Sequence, residues 1–360
     1  MKRARTGNGL TPRALSRVTA AVIGCVVGTL SFPVSAQYDC PANEVVLEED
    51  DPAQLPDGPE TVTAAMPKAA DSKGWAGTSA HYAVPPDLAN CAAGVLRPEA
   101  QSGFIAALDS LRARHGLAPV RHDASADRAV AEAALMMAAN DALSHDPPPS
   151  WKCWTAAGAA AAGSSNLLGG VSSPYLPYED DNGILAEWLI EGDGDEIGHR
   201  RWLLDPYLEQ TALGRVVAVL PGGVRIDSAV MKVFNASADS QRSSRSYRPV
   251  PEFVAWPQGD YPRAFFSSHA RLSFSISQDP ADPDVMNGVD FSEAQVSISD
   301  GEQNLPIRDQ LWDNEGYGVA NCLSWRVDGI VAGRNYSVKI SGVRGAMRQE
   351  YSYTFRISNL

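Results

Sequence analysis

The chain has 360 residues, 44% of them hydrophobic and 20% charged, and a formal net charge of −13. That length exceeds one ordinary domain, and the apolar share excludes a wholly disordered chain. A sequence pI near 4.9 excludes the basic footprint of a nucleic-acid binder and argues against docking on anionic lipid.

Residues 1–36 read as a secretory signal. Lys2, Arg3, Arg5, Arg13 and Arg17 form a basic lead without acids. An apolar stretch from Val18 to Phe32 follows, and Val34-Ser35-Ala36 predicts cleavage after Ala36. The apolar run holds about 15 residues, short of the ~20 that span a bilayer. A lipoprotein signal modified at Cys25 is the competing reading, opposed by the run continuing through Val26, Val27 and Leu30. No other segment reads as transmembrane, so the expected location is secreted or cell envelope.

Removing the signal takes away five of the 30 basic residues and none of the 43 acidic ones, so the net charge moves from −13 to −18. Cys40, Cys91, Cys153 and Cys322 remain. An even count in an exported chain predicts two disulfides with three possible pairings. Cys40 and Cys91 flank a low-complexity segment, which favours that bridge and leaves Cys153 with Cys322.

Residues 37–93 read as an acidic, partly disordered extension, with Glu48, Glu49, Asp50 and Asp51 in one run. Helical spacing follows: Phe104, Ala107, Leu108, Leu111 and His115 recur at three- and four-residue steps before Gly116. Asp123 can cap a second helix, from Ala126 to Asn140, with Ala133, Met136, Met137 and Asn140 on one side. Pro147, Pro148 and Pro149 forbid its continuation, and an Ala/Gly/Ser-rich stretch runs from Ala156 to Gly170. A third helix opens at Asn182 or Gly183 and runs through Glu191, and a short fourth spans His199 to Leu204. Gly214 to Leu220 and Ser228 to Phe234 read as strands around Pro221-Gly222-Gly223. Helices precede strands, so this region is α+β. Residues 239–250 read as a linker. Across 251–360 the period becomes two, as in Tyr336, Val338 and Ile340 or Tyr351, Tyr353 and Phe355, which predicts an antiparallel β-sandwich.

Standard catalytic signatures do not occur: there is no GxSxG elbow, HExxH helix, Walker loop or GxGxxG. On a helical wheel Ile184, Leu185, Trp188 and Leu189 centre one apolar face. Glu191 lies about 90° from that centre and Glu187 about 130°, so Glu191 sits at the margin and Glu187 faces solvent. His199 shares a side with Trp202 and Leu203. A carboxylate and a histidine on one rim can pair or bind a cation, although an inward histidine is more often structural. Asp193, Asp195 and Glu196 crowd the preceding loop. Trp151 and Trp154 bracket Cys153, to line a cleft or to pack around a disulfide. Asp282, Asp284, Asn287 and Asp290 make an oxygen-rich loop without EF-hand spacing.

Several segments carry a resemblance in their order: Leu111-Arg112-Ala113-Arg114-His115-Gly116-Leu117-Ala118-Pro119-Val120, then Asp123, an Ala-rich helix, Leu143-Ser144-His145, Ser165-Asn166-Leu167, Trp188 with Glu191, and Gly198-His199-Arg200. Residues 94–238 resemble the CAP superfamily (cysteine-rich secretory protein, antigen 5 and pathogenesis-related 1, or SCP domain). The tail resembles the immunoglobulin-like sandwiches that follow this domain in some bacterial secreted proteins. The resemblance implies an α-β-α sandwich with a central cleft holding two histidines and two glutamates, in several members around a divalent ion such as zinc. By motif position His145 and His199 are the histidines and Glu191 one glutamate. Ser165 stands where the other glutamate would be, which removes a charge and a general base. The expected metal set is therefore His145, His199 and Glu191, in a cleft that also includes Ser165. The favoured function is non-catalytic binding of a small apolar ligand (lipid or sterol-like) or of a protein partner. The alternatives are a metal-assisted extracellular hydrolase and a tethering protein acting through its β-sandwich.

Overall fold

The computed structural model describes residues 72–192, 194, 196–234, 250–277, 288–319 and 321–358. Its helices are α1 (Ser72–Gly77), α2 (Pro98–Ala113), α3 (Asp127–Asn140), α4 (Ala156–Ala162), α5 (Asp181–Ile190) and α6 (Gly198–Leu203). The strands up to residue 234 are β1 (Tyr82–Val84), β2 (Val95–Leu96), β3 (Arg121–His122), β4 (Ser165–Ser173), β5 (Gln210–Thr211), β6 (Leu213–Val219) and β7 (Arg225–Lys232). Those beyond are β8 (Phe253–Trp256), β9 (Gly259–Pro262), β10 (Leu272–Ile276), β11 (Gln295–Ser299), β12 (Ile307–Asp313), β13 (Cys322–Val327), β14 (Asn335–Ser341) and β15 (Glu350–Ser358). The chain is α+β, and the expected signal of residues 1–36 lies outside the described residues.

α2 opens on Pro98, whose missing N–H costs nothing in a first turn, and buries Phe104, Leu108 and Leu111 at helical spacing. α3 starts one residue later than expected. Asp123 does not cap it but forms a turn before it, accepting from the backbone N–H and hydroxyl of Ser125. The central sheet runs β4-β7-β6, antiparallel throughout. Alternation along β7 sends Ile226 and Val230 to α3 and α4, and Ala229 and Met231 to α2 and α5. The Ser228 hydroxyl follows the first set and donates to the Ala134 carbonyl. A helix–sheet–helix sandwich results, and the contact is close. A Cβ on Gly214 of β6 would lie 2.1 Å from the Val130 carbonyl oxygen, so only glycine lets α3 approach there. β4 begins within the Ala/Gly/Ser-rich stretch, which showed no strand period, and runs three residues past its end.

Residues 72–93 of the expected extension are attached to this layer. Trp75 and Tyr82 are buried against Val217, and the Tyr82 hydroxyl donates to the Arg215 carbonyl and accepts from the Val217 N–H.

The expected disulfide pairing is corrected. Cys91 is bonded to Cys153, and Cys322 is a free, buried thiol. Cys322 lies on β13, between β10 and β12, and fills the sandwich interior as a small apolar group. Cys153, bonded to Cys91, pins the loop of Leu88 against the α3–α4 core. Trp151 and Trp154 pack around this bridge. Cys40 lies outside the described residues.

The described residues between 250 and 358 form two four-stranded sheets, β12-β13-β10-β8 and β11-β14-β15-β9, with β9 parallel to β15 and every other pair antiparallel. β14 and β15 alternate strictly, burying Tyr336, Val338 and Ile340 and Tyr351, Tyr353 and Phe355. This sandwich is no loosely held appendage. One apolar cluster runs from α2 and α5 through Leu203 into Trp256, Tyr261 and Leu272. His115, from the segment after α2, is buried with Nδ1 2.9 Å from the Ala255 carbonyl and Nε2 3.1 Å from the Tyr261 hydroxyl. Most of the expected linker, 239–249, lies outside the described residues, as do Asp282, Asp284 and Asn287 of the oxygen-rich loop; Asp290 is engaged by Arg344.

Candidate binding cleft

Several segments distant in sequence build the cleft. His145 follows the end of α3, where Asp141 takes the left-handed conformation (φ 51°) and turns the chain back. Its Nδ1 lies 2.9 Å from the Ala162 carbonyl. A carbonyl only accepts, so Nδ1 carries the proton and Nε2 is left as an acceptor. Ser165 opens β4, and Asn166 beside it donates from Nδ2 to the His199 carbonyl at 3.1 Å. Trp188 on α5 donates from its indole N–H to the Leu167 carbonyl, fastening the same strand.

Glu191 is the residue just past α5, held at φ 53°. That conformation is costly for a non-glycine residue, and here it throws the carboxylate across to the start of α6. Oε1 accepts from the backbone N–H of His199 at 3.0 Å and from its ring Nδ1 at 2.9 Å; Oε2 accepts from the N–H of Arg200 at 3.1 Å. Glu187, one turn earlier, is exposed, as the wheel predicts. Glu191 is therefore spent on orienting His199 and closing the first turn of α6, and the His199 Nε2 is left as an acceptor like that of His145. The two imidazoles stand 6.5 Å apart, centre to centre, and 28° from parallel.

A cavity of about 630 Å³ opens over this pair. His145, Ser165, Glu191 and His199 all line it, so the four residues singled out from sequence come together. Ser165 is 5% exposed, and its hydroxyl has no hydrogen-bond partner among the described residues. A buried hydroxyl without a partner is unfavourable unless something from outside satisfies it.

The opposite wall escaped the sequence reading. It comes from the β-sandwich: Leu311, Trp312 and Asp313 of β12, then Glu315 and Tyr317. Two contacts set it in place. Arg201 of α6 grips Asp313 through one nitrogen, at 2.8 and 3.0 Å, and donates through another to the Val319 carbonyl. Its guanidinium also lies 5.5 Å from the Tyr317 ring centre. Trp202 and Phe234, packed 4.7 Å apart, complete the rim. The only available signal was β12 itself, a strand pattern with no residue committed to a core: all seven of its residues are exposed or half-buried.

As a metal site the arrangement offers two histidine nitrogens whose second nitrogens are anchored by a carbonyl and a carboxylate, the usual outer partners of metal-binding histidines. Glu191 stands behind His199 and not beside it. Among the described residues no group of three His, Cys, Asp or Glu side chains converges to hold a metal ion. The donor set thus fits a cation held by two protein ligands, and does not fit a catalytic zinc centre, which takes three. Asp193 and Asp195 lie outside the described residues, and Glu196 lines the cavity.

Residues 105–218 match the family model described as the Cysteine-rich secretory protein family, CAP. Among curated proteins none matches the chain. The matched segment begins within α2 and ends near the end of β6, so it holds His145, Ser165, Glu191 and His199. None of the residues from the sandwich wall falls within it.

Proposed function

Since residues 105–218 of this chain form a CAP domain, we propose that the protein is an exported, non-catalytic binding module. Its cleft, lined by His145, Ser165, Glu191 and His199, takes a divalent cation on the two histidines and a ligand between the two domains. The observation that carries the reading is the pair of anchored imidazoles facing one cavity. Both leave Nε2 as the acceptor, with Glu191 fixing the second ring from behind.

Non-catalytic use is supported by where the carboxylates are. Ser165 occupies the position where the resemblance places a glutamate, and both oxygens of Glu191 are engaged by α6. Three of the four acceptor sites of Glu191 are used on His199 and Arg200, so it acts as the cap of α6 and not as a free base above the histidines. When bound, a cation would supply a Lewis-acidic anchor for an oxygen or nitrogen of the ligand. The Lys2–Ala36 leader and the Cys91–Cys153 bridge support export, and no helix among the described residues is long and apolar enough to cross a membrane. The sandwich is read as immunoglobulin-like on its strand order. β8, β10, β13 and β12 follow the A-B-E-D order of such folds, and β11, β14 and β15 follow C-F-G.

Equilibrium dialysis of the mature chain against Zn²⁺ tests the cleft. One equivalent is expected, with His145→Ala and His199→Ala each weakening binding by at least about tenfold. Unchanged zinc binding in both variants refutes the histidine site. Peptide hydrolysis by the wild type that is lost in His199→Ala would replace the binding reading by the hydrolase one. Ser165→Glu restores a carboxylate next to the histidines and is expected to tighten zinc binding about tenfold or more. Ser165→Ala, which removes a buried hydroxyl without a partner, is expected to raise the melting midpoint by about 2 °C.

A further inference from the structure

The cavity presents hydrogen-bond acceptors and aromatic faces with few donors to match. Its lining includes the two imidazoles, whose Nε2 atoms are reserved for the cation proposed above, and Ser165, whose buried hydroxyl has no partner among the described residues. Four carboxylates line it: Glu191, Glu196, Asp313 and Glu315. Glu191 is taken by His199 and Arg200, and Asp313 by Arg201. Glu196 and Glu315 are exposed and make no ion pair among the described residues. Among the described residues the lining holds one arginine, Arg201, whose two terminal nitrogens are taken by Asp313 and the Val319 carbonyl while its buried Nε has no partner. Above this acidic margin four large apolar side chains remain in solvent: Phe234, Leu311, Trp312 and Tyr317, each between 45% and 48% exposed. Many large apolar groups are exposed singly on a protein surface, but four converging on one cavity are not scattered.

Two unpaired carboxylates beside an exposed indole face are complementary to an organic cation. A lysine ammonium brings three donors, a full charge and an aliphatic stem, and lies favourably over an indole or phenol face. We infer that the cleft between the CAP layer and the sandwich binds a basic polypeptide segment, with Trp312 of the sandwich receiving its cationic side chain beside Glu196 and Glu315. The inference rests on the reading of this cavity as a binding site. It adds that the β-sandwich selects what enters, through residues outside the segment that matches the family. A neutral glycan would also stack on Trp312, but it would leave the two carboxylates without counter-charges.

Fluorescence anisotropy of a labelled hexalysine peptide against the full mature chain tests it. The expected result is saturable binding that weakens about tenfold in Trp312→Ala and again in the double variant Glu196→Gln, Glu315→Gln. Both glutamates are exposed, so the double variant does not disturb folding. Glu302→Gln, which removes an exposed charge elsewhere, is expected to leave the affinity unchanged and so separates the cleft from general attraction to an acidic protein. Hexaglutamate is expected not to bind. Failure of hexalysine to bind, or equal affinity for wild type, Trp312→Ala and the double variant, overturns the proposal. So does chitohexaose binding that depends on Trp312 while hexalysine is ignored. Zinc binding that survives both histidine variants, with peptide binding still lost in Trp312→Ala, refutes the histidine cation site and leaves this inference standing.

Discussion

Replacing Arg200 by alanine is expected to lower stability by about 4 kcal/mol and the melting midpoint by roughly 10 °C, far more than any change at the cleft surface. Arg200 is 1% exposed and works as a hub between the end of α5 and the β-sandwich. Its guanidinium donates to the carbonyls of Leu189 and Ile190 at the end of α5, to the carbonyl of Arg271, and to the Ser273 hydroxyl on β10. It also lies flat over Trp256, 3.9 Å from the ring centre. Burial pushes its pKa down to about 10, so the group stays charged at neutral pH. The variant leaves several carbonyls dry and opens a void under Trp256. Arg200→Lys keeps the charge but not the planar fork, and is expected to recover less than half of the loss. Thermal melts of the two variants check this; an alanine variant within 2 °C of wild type would show that the interdomain carbonyls find other donors. His199 precedes Arg200 and shares Glu191 with it, so zinc binding is expected to weaken in the same variant.

That coupling puts the functional and structural roles of α6 in one stretch of sequence. His199 faces the cleft, Arg200 plugs into the first strands of the sandwich, and Arg201 holds the β12 end that forms the far wall. Glu191 supplies the cap for the first two, and the Arg201 N–H donates to the Ile197 carbonyl. Removing residues 250–360 would expose the Arg200 guanidinium and the shared core, so the contribution of the sandwich is better measured with point variants such as Trp312→Ala.

What the sequence showed was what depends on local spacing. The apolar steps of Phe104, Leu108 and Leu111 and the period-two runs at Tyr336 and Tyr351 identify core faces without tertiary knowledge. The wheel even separated Glu191 from Glu187, although Glu191 reaches its place by leaving the helix. β4 was not legible: Ser165-Asn166-Leu167-Leu168-Gly169-Gly170 has no alternation, and its strand character comes from pairing with β7. The second wall of the cleft was not legible either, since Trp312 and Asp313 approach His199 only because Arg201 reaches across more than a hundred residues. The cysteine count misled because parity says nothing about burial, and Cys322 is packed inside a sheet. His115 looked like one more helical core position, and its partners Ala255 and Tyr261 lie in the β-sandwich about 140 residues further on.

His115 also makes the interdomain contact sensitive to acid. Burial, with Arg112, Arg200 and Arg114 nearby, pushes its pKa from 6.5 down to about 3, against the favourable Ala255 carbonyl. The folded protein therefore holds the ring neutral, whereas the unfolded chain protonates it below pH 6.5. Stability from this group is complete above that value and is lost as pH falls toward 3, at about 1.4 kcal/mol per pH unit. Between pH 6.5 and 5 the loss comes to about 2 kcal/mol, a fall of roughly 6 °C in the melting midpoint. His81, lowered by its own burial, and Asp181 and Glu179, raised by theirs, also titrate in acid. They are common to wild type and His115→Gln, so the difference between the two melting curves isolates His115. That difference is expected to be flat above pH 7 and to shrink steadily below 6.5, because glutamine keeps a donor and an acceptor but takes no proton. A difference independent of pH down to 4.5 would mean that the imidazole is protonated in the fold and that the Ala255 and Tyr261 contacts tolerate a charge.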